Sequence, residues 1–276
     1  MGYNSWSCCK SKDKTTVHCT SNVKASAQES EEEPLDTNKI PGALRVPEDC
    51  ATVLEAFNLA RHRRRIHTIV LGKGKHTVDV MNEKGHEYLV VDFPINIFGR
   101  TGVKQNQIVV DGGFYIKKHL QRIIHIKNLT VRHSKGTGVF GLSPFTLEDV
   151  TIEQCGEYGI FASGAAGVAR CKNVQIRKCG SSGVVAADGG STTFFGTKNS
   201  TVVCHNNTKG FSNCYGITVN GSALSKIQFV HPLSKEIVSK KNRKDKNWGA
   251  SGGAAVNQIQ NVSEEDETWG GEDIFL

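Results

Sequence analysis

Short alternating runs of apolar and polar residues recur four times between Asn128 and Val219. Each repeat begins with an Asn or Asp that leads into a β-branched run, and a second apolar run follows after a turn rich in Gly, Ser and Asn. Successive repeats start about 21 to 26 residues apart, at Asn128, Asp149, Asn173 and Asn199. This period, with two strand-sized runs per repeat and no helical segment, predicts a β-solenoid.

Alternation within each run separates side chains that face the core from those that face outward. In the first run of each repeat the predicted inward row is Leu129/Val131, Val150/Ile152, Val174/Ile176 and Val202. One predicted outward row is Thr130, Thr151, Gln175 and Thr201, and the next is Arg132, Glu153, Arg177 and Val203. In the second run the predicted outward row is Phe140, Phe161, Val185 and Thr218.

The rest of the chain divides by composition. Residues 1–39 are rich in Ser, Lys and Glu and predict a disordered tail. Acidic residues precede an apolar helical pattern and an Arg-rich run follows it, so we predict an amphipathic helix over about 49–62 that caps the solenoid. The β-helix domain is expected to span 40–262, with a basic insertion at 233–248. Residues 263–276 form an acidic tail.

Charge is distributed unevenly. The net charge is +7, and residues 40–262 hold 29 of the 34 Lys and Arg residues but only 15 of the 27 acidic ones. A basic body favours an anionic polysaccharide or an acidic protein as partner. We expect no nucleic acid partner, because no recognition motif accompanies the basic clusters. The sequence does not indicate an oligomeric state.

The remaining composition predicts a cytoplasmic protein. No apolar run reaches the length of a transmembrane helix, and the first residues do not resemble a secretion signal. The nine cysteines include no C-x-x-C pair, so reduced thiols are expected, with no metal site and no cofactor. Cys155 and Cys179 share one repeat position and are expected to stack as small buried residues.

The pattern resembles the right-handed parallel β-helix proteins of the pectin-lyase-like superfamily. The resemblance rests on RVPEDCATVLEAFNLARHRRRIHTIVLGKGKHTV, INIFGR, IVVDGG and the repeats LTVRHSKGTGVF, VTIEQCGEYGIF and VQIRKCGSSGVV, and covers about residues 45–225. It implies an all-β fold, a single-stranded right-handed parallel β-helix with an N-terminal capping helix. It implies little about activity, because lyases, hydrolases, epimerases and non-catalytic modules share this fold.

The candidate chemistry lies on the outward rows. Glu153, flanked by Arg132 and Arg177, is either the centre of a structural charge ladder or a catalytic carboxylate beside two cations. His133 and Tyr158 are the nearby candidates for a second proton carrier. Phe140 and Phe161, with Thr130, Thr151 and Gln175, are the candidate binding residues.

Two functional hypotheses remain open from the sequence. The first is a non-catalytic β-helix repeat module that binds an anionic glycan or a protein. The second is a polysaccharide lyase, epimerase or glycoside hydrolase that uses the Arg132–Glu153–Arg177 face. The acidic motifs of alginate epimerases and polygalacturonases, and a calcium-binding acidic cluster like that of many pectate lyases, are absent from the sequence. Whether the protein is an enzyme stays uncertain, and the missing motifs favour the first hypothesis.

Overall fold

The protein is a right-handed parallel β-helix. The computed structural model describes residues 35–63, 65–78, 85 and 87–265. These residues form 20 strands in one continuous sheet, and every strand pairing is parallel. The expected fold class is therefore confirmed.

Each complete coil has three strand faces rather than the two that the repeat pattern predicts. Face 1 consists of β1 (Leu44–Val46), β2 (Thr68–Leu71), β5 (Asn96–Gly99), the first parts of β7 (Ile124–His133) and β9 (Phe145–Glu153), β11 (Val168–Lys172), β14 (Ser191–Phe195), β17 (Lys226–Val230) and β20 (Ile259–Val262). Face 2 consists of β3 (Gly74–Thr77), the first part of β6 (Ile108–Ile116), the second parts of β7 and β9, β12 (Gln175–Arg177), β15 (Val202–Cys204) and β18 (Ser239–Lys240). Face 3 consists of β4 (Tyr88–Val91), the second part of β6, β8 (Val139–Gly141), β10 (Ile160–Ser163), β13 (Val184–Ala187), β16 (Ile217–Asn220) and β19 (Trp248–Ser251).

Left-handed residues form the corners between the faces. Between faces 1 and 2, Asn128, Asp149 and Asn173 have φ of 55°, 53° and 55°. Asn and Asp tolerate this conformation better than other side chains, which explains why they open each repeat. β7 and β9 continue through this corner as single strands, and their pairing skips only the corner residues Asn128 and Asp149.

Helix α1 (Val53–His62) closes the N-terminal end of the core, within the segment predicted to be helical. It begins later than the predicted residue 49 because Thr52 is the N-cap, and its side chain accepts a hydrogen bond from the Glu55 amide at 3.1 Å. Val53, Ala56, Phe57 and Ala60 lie on one helical face and are all buried. A second, four-residue helix, α2 (Lys235–Val238), lies between faces 1 and 2 near the other end.

The interior is a set of aliphatic ladders, as the alternation predicts for the repeats that begin at Asn128, Asp149 and Asn173. Leu129, Val131, Val150 and Ile152 are fully buried. In the repeat that begins at Asn199 the prediction is wrong by one residue. Thr201 and Val203, both predicted to face outward, are fully buried, and Val203 rather than Val202 pairs with Ile176. The reason is one additional residue: the two corner residues of this coil, Asn199 and His205, lie six positions apart instead of five.

The segment 233–248 is part of the solenoid rather than an exposed insertion. It contains α2, β18 and the start of β19, and β18 and β19 pair with the preceding coil. The predicted tails 1–39 and 263–276 lie largely outside the described residues. Within residues 35–39, Thr37 is buried and its hydroxyl lies 3.0 Å from that of Thr101.

Candidate functional site

The outward row of face 2 brings the predicted charged residues together. Arg132, Glu153 and Arg177 lie side by side on three consecutive coils. The Arg132 Nε donates to Glu153 Oε1 at 2.7 Å, and the Arg177 Nε donates to Oε2 at 2.8 Å. Glu153 is only 7% exposed. Its two carboxylate oxygens therefore have little access to water, and each accepts a hydrogen bond from a guanidinium group.

This geometry governs the chemistry of Glu153. Burial raises the pKa of the Glu153 carboxyl, but the bonds from Arg177 and Arg132 lower it more, so the pKa lies below its usual value. A carboxylate with a lowered pKa and two occupied oxygens is a weak general base and a hindered nucleophile. The arrangement matches a structural charge ladder better than a catalytic centre.

Of the two nearby candidates for a proton carrier, His133 is hydrogen-bonded through both ring nitrogens. His133 lies 3.0 Å from Asp111 through Nδ1 and 3.2 Å from Gln154 through Nε2. Burial raises the pKa of Asp111, but its bonds with Lys75 and His133 outweigh this effect and lower the pKa overall. Burial raises the pKa of Tyr158, so its hydroxyl stays protonated at neutral pH.

Thr130 and Thr151 point outward as predicted, but they are inaccessible to a ligand. They are 1% and 5% exposed because the segment around Gln105 crosses over them. The Thr130 hydroxyl donates to the backbone carbonyl of Gln105 at 3.0 Å, and the side-chain amide of Gln105 donates to the Thr151 hydroxyl at 3.0 Å. Gln175 follows in the same row and is half-buried. The covering segment comes from an earlier coil, so local alternation could not reveal it.

An aromatic strip follows the outward row of face 3. Tyr115, Phe140 and Phe161 are neighbours in register and remain half-buried. The rings of Tyr115 and Phe140 stack with centroids 5.2 Å apart, and those of Phe140 and Phe161 meet edge to face at 5.1 Å. Tyr158, in the preceding turn, packs 5.1 Å from Phe161. Tyr115 is not among the residues predicted from the sequence, although alternation within Phe114–Ile116 places it in this row.

A basic corner lies where face 2 turns into face 3. We define it as Lys178, His205, Lys240 and Lys241, all of which are exposed. Lys240 continues the row that contains Arg177 and Cys204. Lys178, His205 and Lys241 occupy the left-handed corner position of three consecutive coils, with φ of 58°, 55° and 55°.

The lysines of the basic corner form no ion pair with any carboxylate of the described residues. The carboxylate nearest in the ladder, Glu153, is already neutralised by its two arginines. The corner therefore presents uncompensated positive charge over three coils. The basic run at 233–248 is visible in the sequence, whereas its alignment with Lys178 appears only when the coils are stacked.

Cys155 and Cys179 are both buried, next to this corner on the inner side. The Cys179 thiol and burial hold the pKa of Cys155 well above its usual value, so it is a neutral thiol at pH 7. Among the described residues, no group of three or more His, Cys, Asp or Glu side chains could hold a metal ion. No helix in the described part of the chain is long and apolar enough to cross a membrane.

No family model and no curated protein match the sequence. The structure is similar to the catalytic domain of a GH87 alpha-1,3-glucanase in complex with nigerose, with a TM-score of 0.38 and 11% identity over 83% of this chain and 54% of that chain. A variant of the same domain with tetrasaccharides gives a TM-score of 0.37 at the same identity. The chain therefore spans about half the length of these solved structures.

Proposed function

We propose that this protein is a non-catalytic β-helix module that binds an anionic polysaccharide along its basic corner. The observation that carries the proposal is the row of exposed lysines, Lys178, Lys240 and Lys241, with no carboxylate partner among the described residues. A catalytic role is disfavoured because both oxygens of Glu153 are bound by arginine side chains.

The spacing of the basic corner suits a polymer. Neighbouring coils of a parallel sheet lie about 4.8 Å apart, so Lys178 and Lys241, two coils apart, are separated by about 10 Å. Positive charges repeated at regular intervals along an axis complement a chain with repeated carboxylates or sulfates. A single small anion would use only one of these positions.

The aromatic strip supports a glycan rather than an inorganic polymer. Half-exposed aromatic rings offer flat apolar surfaces against which sugar rings can pack. Tyr215 lies in the turn that joins β15 to β16, and the Lys246 ammonium lies 5.3 Å from the centre of its ring. This turn places an aromatic side chain close to a further cation.

Isothermal titration calorimetry of the full chain with a sulfated polysaccharide, a polyuronate and a neutral polysaccharide tests the proposal. The test variant carries Lys178→Gln, Lys240→Gln and Lys241→Gln. The matched control variant carries Lys104→Gln, Lys118→Gln and Lys226→Gln, which are exposed lysines elsewhere on the solenoid.

We expect the test variant to bind an acidic polysaccharide about tenfold more weakly than the control variant, since each exposed charge contact contributes about 0.2–1 kcal/mol. Binding should weaken with added salt. Equal losses in both variants would reduce the effect to net charge and contradict a defined site. Binding of none of the polysaccharides would overturn the glycan proposal and leave an acidic protein as partner. Turnover of a polyuronate that Glu153→Gln abolishes would overturn the non-catalytic proposal.

A further inference from the structure

The three corners of the solenoid share a left-handed backbone conformation but use different residue types. Between faces 1 and 2, the left-handed positions of four consecutive coils hold only Asn or Asp, at Asn128, Asp149, Asn173 and Asn199. Between faces 3 and 1, the left-handed positions that follow β10, β13, β16 and β19 hold only Gly or Asp, at Gly164, Asp188, Gly221 and Gly252. These residue types adopt the left-handed conformation with the least steric conflict.

The corner between faces 2 and 3 departs from this rule. Its left-handed positions hold long side chains on five consecutive coils, with φ between 55° and 58°, at His133, Gln154, Lys178, His205 and Lys241. We call these five residues the corner column. They are aligned because each directly follows a member of the paired outward row of face 2.

Packing does not explain the residue types of the corner column. All five residues are exposed, and Asn or Gly would fit the same backbone with less strain. Histidine adopts the left-handed conformation more readily than most residues, so Gln154, Lys178 and Lys241 are the clearest departures. Backbone strain of this kind clusters where a side chain is used for binding or catalysis.

We propose that the corner column is a binding track for an anionic polysaccharide over all five coils, which adds His133 and Gln154 to the ligand contacts. The inference rests on the proposed function and extends its site beyond the lysines. Five coils correspond to four strand spacings, or about 19 Å, whereas Lys178 and Lys241 alone span about 10 Å. The polysaccharide therefore lies along the axis of the solenoid.

His133 and Gln154 supply groups that suit a glycan. The side-chain oxygen of Gln154 lies 3.2 Å from Nε2 of His133. The side-chain nitrogen of Gln154 forms no hydrogen bond with any described residue, so it can donate to a sugar hydroxyl or carboxylate. The neighbouring carboxylate of Asp111 is paired with Lys75 and His133 and is only 15% exposed, so it repels an anion weakly.

Isothermal titration calorimetry of the full chain with size fractions of dextran sulfate and of polygalacturonate tests the track. The test variant carries His133→Asn with Gln154→Asn, since Asn is shorter and tolerates the left-handed backbone. The matched control variant carries His119→Asn with Gln107→Asn, which changes the same residue types at exposed positions outside the column. His119 is also left-handed, with φ of 68°.

We expect the test variant to bind the acidic polysaccharide about fivefold more weakly than the control variant. The loss should appear with fragments longer than about 19 Å and be absent from fragments shorter than about 10 Å. Gln154→Asn alone leaves the contact between His133 and Asp111 in place and should show part of the loss. Far-UV circular dichroism checks that each variant is folded.

Urea denaturation tests the strain at the corner. Lys178→Asn should move the unfolding midpoint to a higher urea concentration, because Asn relieves the left-handed backbone, and it should weaken binding of the polysaccharide about twofold. Lys118→Asn is the control at an exposed lysine outside the column and should not raise the midpoint.

Four results would overturn the inference. If His133→Asn with Gln154→Asn binds as well as its control while the triple lysine variant is still weakened, the site ends at Lys178 and the proposed function stands. A loss that is the same for fragments of every length would contradict binding along the axis. An unchanged or lower midpoint for Lys178→Asn would remove the strain argument. Failure of the wild-type chain to bind either polysaccharide would overturn the proposed function together with this inference.

Discussion

Replacing Glu153 with glutamine removes one negative charge from between two guanidinium groups. The substitution keeps the shape of the side chain and one carbonyl oxygen, but only one of the two arginines can then find an acceptor. The Glu153 side chain is 9% exposed, whereas those of Arg132 and Arg177 are 33% and 43% exposed. The charge that is removed is therefore buried, and the charges that remain can partly reach water.

These exposures set the expected magnitude. Removing one partner of a fully buried ion pair costs about 3–5 kcal/mol, while exposed pairs contribute about 0–1 kcal/mol. Because the arginines can turn toward solvent, we expect Glu153→Gln to lower the free energy of unfolding by about 2–3 kcal/mol at pH 7.

The pH dependence has a defined sign. The folded pKa of Glu153 is lowered, so as the pH falls the unfolded chain takes up its proton first. The stabilising contribution is complete above the unfolded pKa of about 4.3 and is lost as the pH falls through the folded pKa. The stability difference between wild type and Glu153→Gln should therefore be constant from pH 7 to about pH 5 and shrink below that.

Urea denaturation followed by circular dichroism, repeated across this pH range, measures the difference. Glu157→Gln is the matched control, because Glu157 lies in the adjoining turn and forms no ion pair with the described residues. It should change stability by less than about 0.5 kcal/mol. A loss of under about 0.5 kcal/mol for Glu153→Gln at pH 7, or a loss that persists unchanged at acidic pH, would refute the charge-ladder reasoning.

Three further substitutions test the packing, each by urea denaturation. Phe194→Ala should cost about 3–5 kcal/mol, because the ring is fully buried and stacks on Phe229 with centroids 5.2 Å apart, whereas Phe211→Ala, at a residue 51% exposed, should cost less than about 0.5 kcal/mol. Asn206→Ala should cost about 2 kcal/mol, because its buried amide bonds backbone groups of the preceding coil. Gly159→Val should cost more than about 3 kcal/mol, since a Cβ there would collide with an isoleucine methyl and a carbonyl oxygen on the next coil. A loss below about 0.5 kcal/mol for Phe194→Ala, Asn206→Ala or Gly159→Val would contradict the packing described for that residue.

The sequence predicted the fold because inward and outward positions alternate locally. Leu129 and Val131 face the core for the same reason that Arg132 faces outward, and neither depends on distant residues. The third strand of each coil was missed at Phe145–Glu148 because this run enters the next strand through Asp149. No Gly or Pro marks that corner, which the left-handed Asp149 forms by itself.

The order of the charged row was likewise readable from the sequence, because equivalent residues of successive repeats must stack. Sequence alone could not distinguish a catalytic Glu153 from a structural one. That distinction depends on whether its two oxygens are occupied, which the side-chain conformations of Arg132 and Arg177 decide.

The sequence by itself determined the solenoid and, from Asn128 to Arg177, its inner ladders and outward residues, because these follow from a two-residue strand period and a constant five-residue spacing between corner residues. Only the tertiary structure decided which outward residues meet solvent. Thr130 and Thr151 are covered by a segment from an earlier coil, whereas Lys178 and Lys241 align across coils and stay exposed. Stacking brings together residues that are far apart in the chain, so the surface of each face depends on its neighbours as much as on its own strand.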